Sequence, residues 1–238
     1  MSLGGSAMVG GVVFAKELYH FWKPRRVGIY GPAMAGKTTL DRYMTTPGEM
    51  EEIELADRTK HFKVPGLNRF LLPRASRKRV GWKGDKRVVY SADIAGEDRF
   101  WNLWVDDMVS RQVEAIIFLF DSRVTNGGDA AVQAVGGFKF LVDSILHKQY
   151  RYRNLRSRWK GKRYAPKVIM LVANKADEWW DEPANILWQQ QRLGEHKIFD
   201  AFRDDLIRLQ KAGIPTKRGM MATKIGWNVE NTMIDLLT

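Results

Sequence analysis

Apolar residues along the chain follow two different periods. Continuous runs of six occur at Ala115–Phe120 and Val168–Ala173, and a shorter apolar run at Arg26–Tyr30 stops at Gly31-Pro32. Runs of that length read as strands buried on both faces. Between them the apolar positions recur at helical spacing. Phe100, Trp101, Trp104, Val105 and Met108 form one stripe. Positions 134, 135, 138, 141, 142, 145 and 146 form a second, within Ala130–Leu146. Ile198, Phe199, Phe202, Leu206 and Leu209 form a third, ended by Gly213. Thr38–Met44 reads as a helix entered from the turn Gly31-Pro32. Gly219–Ala222 reads as a last short strand and Asn228–Leu237 as a last helix. Arg77–Trp82 and Arg87–Ala92 flank Lys83-Gly84-Asp85-Lys86, a hairpin signal. Residues 45–73 contain three prolines and no clean period, and read as loop. Strands alternating with helices predict an α/β fold on a mostly parallel sheet, which binds ligands at the carboxyl ends of its strands.

Composition narrows the chemistry. Hydrophobic residues make up 45% of the 238 and charged residues 28%, a globular balance. There is no cysteine, which excludes a disulfide framework, a zinc-thiolate site and a thiol nucleophile. No stretch reaches the roughly 18 apolar residues that span a bilayer. Met8–Trp22, the nearest early run, is broken by Lys16, Glu17 and His20. Residues 1–24 read as a linker followed by an extra helix, and 25–238 as the main domain. Val12, Val13, Phe14, Leu18, Tyr19, Phe21 and Trp22 give that extra helix an apolar surface, suited to packing on the domain, to a membrane surface or to a dimer contact.

The net charge of +12 is concentrated. Nine basic residues and no acidic one lie between Lys148 and Lys167, with Tyr150, Tyr152, Trp159 and Tyr164 among them. Arg69 to Arg87 holds eight basic residues against Asp85 alone. Such insertions attract an anionic surface, whether lipid, nucleic acid or acidic protein, or serve only as solvated, soluble loops.

The most specific signal is Gly31-Pro32-Ala33-Met34-Ala35-Gly36-Lys37-Thr38, which fits G-x-x-x-x-G-K-[ST] between a predicted strand and helix. In that context the amides of Ala33, Met34, Ala35, Gly36 and the first helical turn, through Thr39, face phosphates. Lys37 reaches the β- and γ-phosphates and the Thr38 hydroxyl binds Mg²⁺. Asp93-Ile94-Ala95-Gly96 follows the predicted strand 87–92. Asp93 is placed for the metal, and the Gly96 amide for a γ-phosphate. Asn174-Lys175-Ala176-Asp177 follows the strand Val168–Ala173. A carboxylate accepts two hydrogen bonds at once, and guanine offers N1–H beside its N2 amino group. Asp177 is therefore the guanine reader, with Lys175 along the base. Ala222-Thr223-Lys224 follows the last strand, and its Ala222 amide is a donor for guanine O6.

Four such elements in this order resemble the Ras-like small GTPase family. The nearest echoes are Asp93-Ile-Ala-Gly-Glu-Asp-Arg-Phe100 and Ala222-Thr-Lys-Ile-Gly-Trp-Asn-Val-Glu230. The resemblance covers roughly residues 25–238. It implies a P-loop NTPase fold, with a six-stranded, mostly parallel sheet flanked by helices and extended by the basic insertions. It also implies a cycle between GTP and GDP with Mg²⁺. Two positions depart from the family. Glu97 stands where the family has the glutamine that orients the attacking water. An ionised carboxylate is repelled by the γ-phosphate, so slow hydrolysis is expected. The family's switch I threonine is best matched by Thr59. The expected catalytic positions are thus Lys37, Gly96 and Glu97, and the expected metal ligands Thr38, Thr59 and Asp93.

Three functions compete: a switch that hydrolyses GTP slowly and regulates an effector, a GTP- or GDP-binding module with little hydrolysis, and an ATP-using P-loop enzyme, which Asp177 argues against. A cytoplasmic setting, peripheral at a membrane surface, is the expected location. The last helix ends with the chain at Thr238 after little more than three turns, which leaves open a longer parent protein.

Overall fold

The structure is a computed structural model that describes residues 25–45, 89–90, 94–147 and 165–237. The chain order is β1 (Arg25–Tyr30), α1 (Lys37–Thr45), β2 (Val89–Tyr90), α2 (Trp101–Arg111), β3 (Ala115–Phe120), α3 (Gly128–Leu146), β4 (Val168–Ala173), α4 (Ala176–Trp179), α5 (Glu182–Gln189), α6 (Arg203–Lys211), β5 (Thr216–Met220) and α7 (Val229–Leu237). Short 3₁₀ turns fill several connections, among them Asp98–Phe100, Lys197–Phe202 and Thr223–Ile225.

Every strand pairing is parallel, in the order β2-β1-β3-β4-β5. Four strands form the continuous sheet, and β2 adds two residues at the β1 edge. The expected six strands are therefore not reached among the described residues. The anticipated hairpin lies outside them except for Val89–Tyr90, and that stub runs parallel to β1.

Strand alternation sorts the sheet into two cores. Ile116, Phe118, Phe120, Ile169 and Leu171 face one layer, where Trp104, Phe138, Leu141, Phe202 and Leu206 bring in α2, α3 and α6. Ala115, Ile117, Leu119, Val168, Met170 and Val172 face the other, with Leu40 from α1 and Val229, Met233 and Leu236 from α7. Both faces being covered, β3 and β4 are buried at every position, which explains their unbroken apolar runs.

Two local features escape the pattern reading. Strand β5 begins three residues before its expected start, because Thr216, Lys217 and Arg218 are polar and only Gly219 and Met220 are buried. The helix α5 is capped by Asp181, whose side chain accepts from the Ala184 amide at 2.9 Å, with proline in its first turn. No helix among the described residues is long and apolar enough to cross a membrane.

Candidate functional site

The loops leaving β1, β3, β4 and β5 all emerge at the carboxyl end of the parallel sheet. That is where the order places them on neighbouring strands.

The β1 loop turns from Gly31 to Gly36 and feeds α1. Gly36 has φ +92°, a conformation that favours glycine, and a Cβ there would lie 3.2 Å from Thr223 Oγ1 and closer still to Asn174 Nδ2. Met34 is left-handed as well, at φ 64°, and is 48% exposed at the crown. Lys37 is buried. Its ammonium donates to the Gly31 carbonyl at 3.0 Å and the Pro32 carbonyl at 2.7 Å. The charge is thus folded into the concave side of its own loop. Ala33, Thr38 and Thr39 are half-buried, and Ala35 is anchored in the α1 core.

Asn174, with no exposed surface, joins three segments. Its Nδ2 donates to the Ala35 carbonyl at 2.8 Å and to Thr223 Oγ1 at 3.0 Å. Its Oδ1 accepts from the Thr223 amide at 3.0 Å. The phosphate-loop motif, the Asn174–Asp177 motif and the last motif are therefore one hydrogen-bonded unit. Asp177 is exposed on the first turn of α4. Lys175 sits at φ 57° and pairs with Asp121 at 3.1 Å. Lys224 is exposed. The Ala222 amide, a donor for guanine O6 by sequence reasoning, donates to the Trp227 carbonyl at 3.1 Å, and Trp227 returns a bond to Ala222. This bond closes the Ala222–Trp227 turn, and the Thr223 amide is held by Asn174.

Gly96 is buried against the Gly31–Gly36 loop. A Cβ on it would lie 2.5 Å from the Gly31 oxygen and closer to the Pro32 carbonyl carbon and Ala33 nitrogen, so only glycine permits this approach. Two indoles staple the segment. Trp104 Nε1 donates to the Ala95 carbonyl at 3.0 Å and Trp101 Nε1 to the Gly96 carbonyl at 3.4 Å. Further along α2, Asp107 accepts from Tyr30 Oη at 2.7 Å and from both arms of Arg111, tying the helix to the strand that feeds the loop. Glu97 pairs with Arg99 at 2.7 Å on the surface. Thr59 and Asp93 lie outside the described residues, as do the basic runs apart from Pro166, Lys167 and their immediate neighbour. Among the described residues no group of three His, Cys, Asp or Glu side chains is arranged to hold a metal ion.

Sequence reasoning missed Asp121 and Arg123. The buried Asp121 carboxylate, at the carboxyl end of β3, holds both Arg123 and Lys175. The available signal was a lone acid directly after six apolar residues, on the sheet edge where the other motifs gather. It also missed the aromatic cluster that Trp188 and Trp227 form with Trp180, with ring centroids 5.0–6.0 Å apart.

No protein-family profile matches the chain, and no curated protein is similar to it in sequence. Similarity appears among solved structures. A bacterial selenocysteine-specific elongation factor, EF-Sec, is 17% identical with a TM-score of 0.51, over 90% of this chain and 29% of that one. The small GTPase Arl6 (BBS3) from Trypanosoma brucei, solved with the nucleotide analogue GppNp, is 17% identical with a TM-score of 0.49, over 90% of this chain and 95% of that one. The chain therefore spans under a third of the elongation factor. The likeness to EF-Sec shows a shared fold, an α/β arrangement of a parallel sheet flanked by helices, for the described residues.

Proposed function

We propose that this protein binds GTP and GDP and works as a nucleotide-dependent switch that hydrolyses GTP slowly and regulates a partner through the segments around Thr59 and Glu97. The observation that carries this reading is Asn174. One buried side chain ties the phosphate loop to the Thr223 segment, and Asp177 stands three residues beyond it. The loop amides, the α1 N-terminus and the Lys37 ammonium suit a di- or triphosphate. The exposed Asp177 carboxylate suits guanine's paired donors, which adenine lacks. Gly96, in contact with the loop, suits detection of a γ-phosphate. Thr38, Asp93 and Thr59 are the residues that would hold Mg²⁺, an all-oxygen donor set of the kind that ion takes. When bound, Mg²⁺ neutralises charge on the phosphates.

Glu97 supports slow turnover. Its carboxylate is engaged by Arg99 at the surface. That arrangement lines up nothing on an attacking water, and it equally suits the second reading, a GTP- or GDP-binding module with little hydrolysis. Equilibrium binding of GTP, GDP and ATP with Mg²⁺, followed by single-turnover hydrolysis, separates these readings. Asp177→Asn should weaken GTP and favour xanthosine nucleotides, since xanthine presents a carbonyl where guanine has N2. Unchanged GTP affinity in that variant removes the assignment of the base.

A docking role for the basic runs belongs to the same proposal. The described residues hold 18 of the 39 Lys+Arg but 19 of the 27 Asp+Glu, so the positive excess lies in residues 1–24, 46–88 and 148–164. The basic runs 69–87 and 148–167 would suit an anionic surface, such as a membrane face in the cytoplasm. Co-sedimentation with phosphatidylserine vesicles, compared with neutral vesicles and with nucleic acid, tests it.

A further inference from the structure

We propose that Arg123 is a positioning residue that latches the crown of the phosphate loop and, through the Asp121 carboxylate it shares with Lys175, couples the grip on phosphate to the reading of the base. This rests on the nucleotide-binding reading above.

Asp121 is 4% exposed at the end of β3. Its oxygens accept from Arg123 Nε at 2.8 and 3.0 Å, from the Arg123 amide at 3.2 Å, and from the Lys175 ammonium at 3.1 Å. Arg123 Nη2 completes the pair at 2.8 Å. Burial alone would raise the Asp121 carboxyl, but the hydrogen bonds and charges of Arg123 and Lys175 hold it below the usual carboxylate range. It is therefore charged near neutrality and holds both cations in place.

The far side of the Arg123 guanidinium reaches the phosphate loop. Nη2 donates to the Ala33 carbonyl at 3.1 Å, and Nη1 lies 4.0 Å from Met34 Sδ. Ala33 and Met34 form the crown, where Met34 sits at φ 64°. A left-handed conformation disfavours a residue with a Cβ, and Arg123 adds a hold on this crown through the Ala33 carbonyl. A planar fork can serve a carboxylate with one edge and a carbonyl with another; an ammonium cannot reproduce that geometry. The result is a chain of contacts from Ala33 through Arg123 and Asp121 to Lys175, two residues before Asp177. None of it is required by the G-x-x-x-x-G-K-[ST] pattern.

The test uses the full chain and a fluorescent GDP analogue. Dissociation is followed after excess unlabelled GDP is added, for the wild type, Arg123→Ala, Arg123→Lys and the surface control Arg192→Ala. Loss of a charge-assisted hydrogen bond predicts release about ten times faster in Arg123→Ala. Arg123→Lys should stay close to the alanine variant, and Arg192→Ala close to wild type. In parallel, amide hydrogen exchange of the nucleotide-free proteins should rise at residues 33–36 and 174–177 in Arg123→Ala, while α3 and β4 remain protected. Unchanged release and unchanged exchange at residues 33–36 overturn the latch. Full rescue by lysine also overturns it, as does exchange that rises uniformly, which would mean a loss of fold stability. If the wild type fails to bind the analogue, the nucleotide reading falls, and exchange at residues 33–36 still decides whether Arg123 holds the loop.

Discussion

Replacing Asn174 with alanine tests the joint between the phosphate loop and the base-side segments. The side chain has no exposed surface and makes three hydrogen bonds. The substitution leaves the Ala35 carbonyl, the Thr223 amide and the Thr223 hydroxyl without that partner. At about 1 kcal/mol for each buried bond, the loss is about 3 kcal/mol. For a domain of this size about 2–4 °C of melting temperature accompanies each kcal/mol, so Tm should fall by about 6–12 °C. Calorimetry of the nucleotide-free protein measures this without assuming any ligand. Asn174→Asp is the companion variant. It keeps the shape and the acceptor for the Thr223 amide, but sets a carboxylate oxygen against the Ala35 carbonyl. Burial and that carbonyl should raise the pKa of the new acid above its unfolded value. The charged form is then the destabilised one, so this variant should regain stability as pH falls through the raised pKa. A fall of less than 2 °C in the alanine variant, measured by calorimetry, would refute the claim that Asn174 is the joint.

Three other outcomes are expected. Gly96→Ala forces a Cβ into the backbone of Gly31–Ala33. Overpacking of this kind costs about 1–3 kcal/mol, and affinity for GTP should drop more than affinity for GDP; an unaltered ratio in titrations argues against Gly96 as the γ-phosphate contact. The lowered pKa of Asp121 means that its pairing with Arg123 and Lys175 contributes fully above the unfolded value of about 3.9 and is lost as pH falls through the lower folded value. Melting curves recorded down into that acid range should therefore fall more steeply for the wild type than for Asp121→Asn, and parallel curves would contradict the direction of the shift. Glu97→Gln should speed single-turnover GTP hydrolysis about tenfold or more, and an identical rate means the water is oriented elsewhere.

Local spacing made much of the fold legible. Ala115–Phe120 and Val168–Ala173 match the observed strands residue for residue, because a strand covered on both faces leaves no polar interruption to blur its ends. The α2 and α3 stripes were equally readable. What escaped was encoded in other ways. The polar start of β5 carries no apolar run, and α5 announces itself through its Asp181 cap more than through a stripe.

The candidate site divides along the same line. Spacing alone determined that the Gly31–Gly36 turn precedes a helix, and that Asn174 and Asp177 follow a strand, because those motifs are short-range contacts between a turn and its own neighbours. Tertiary structure decided the rest. It paired the Ala222 amide with Trp227, aimed Asn174 at Ala35 across 139 positions, and brought Arg123 to Ala33 across 90. Such pairings arise because parallel strands deliver loops distant in sequence to one end of the sheet, where each buried polar group must find whichever partner the packing leaves within reach.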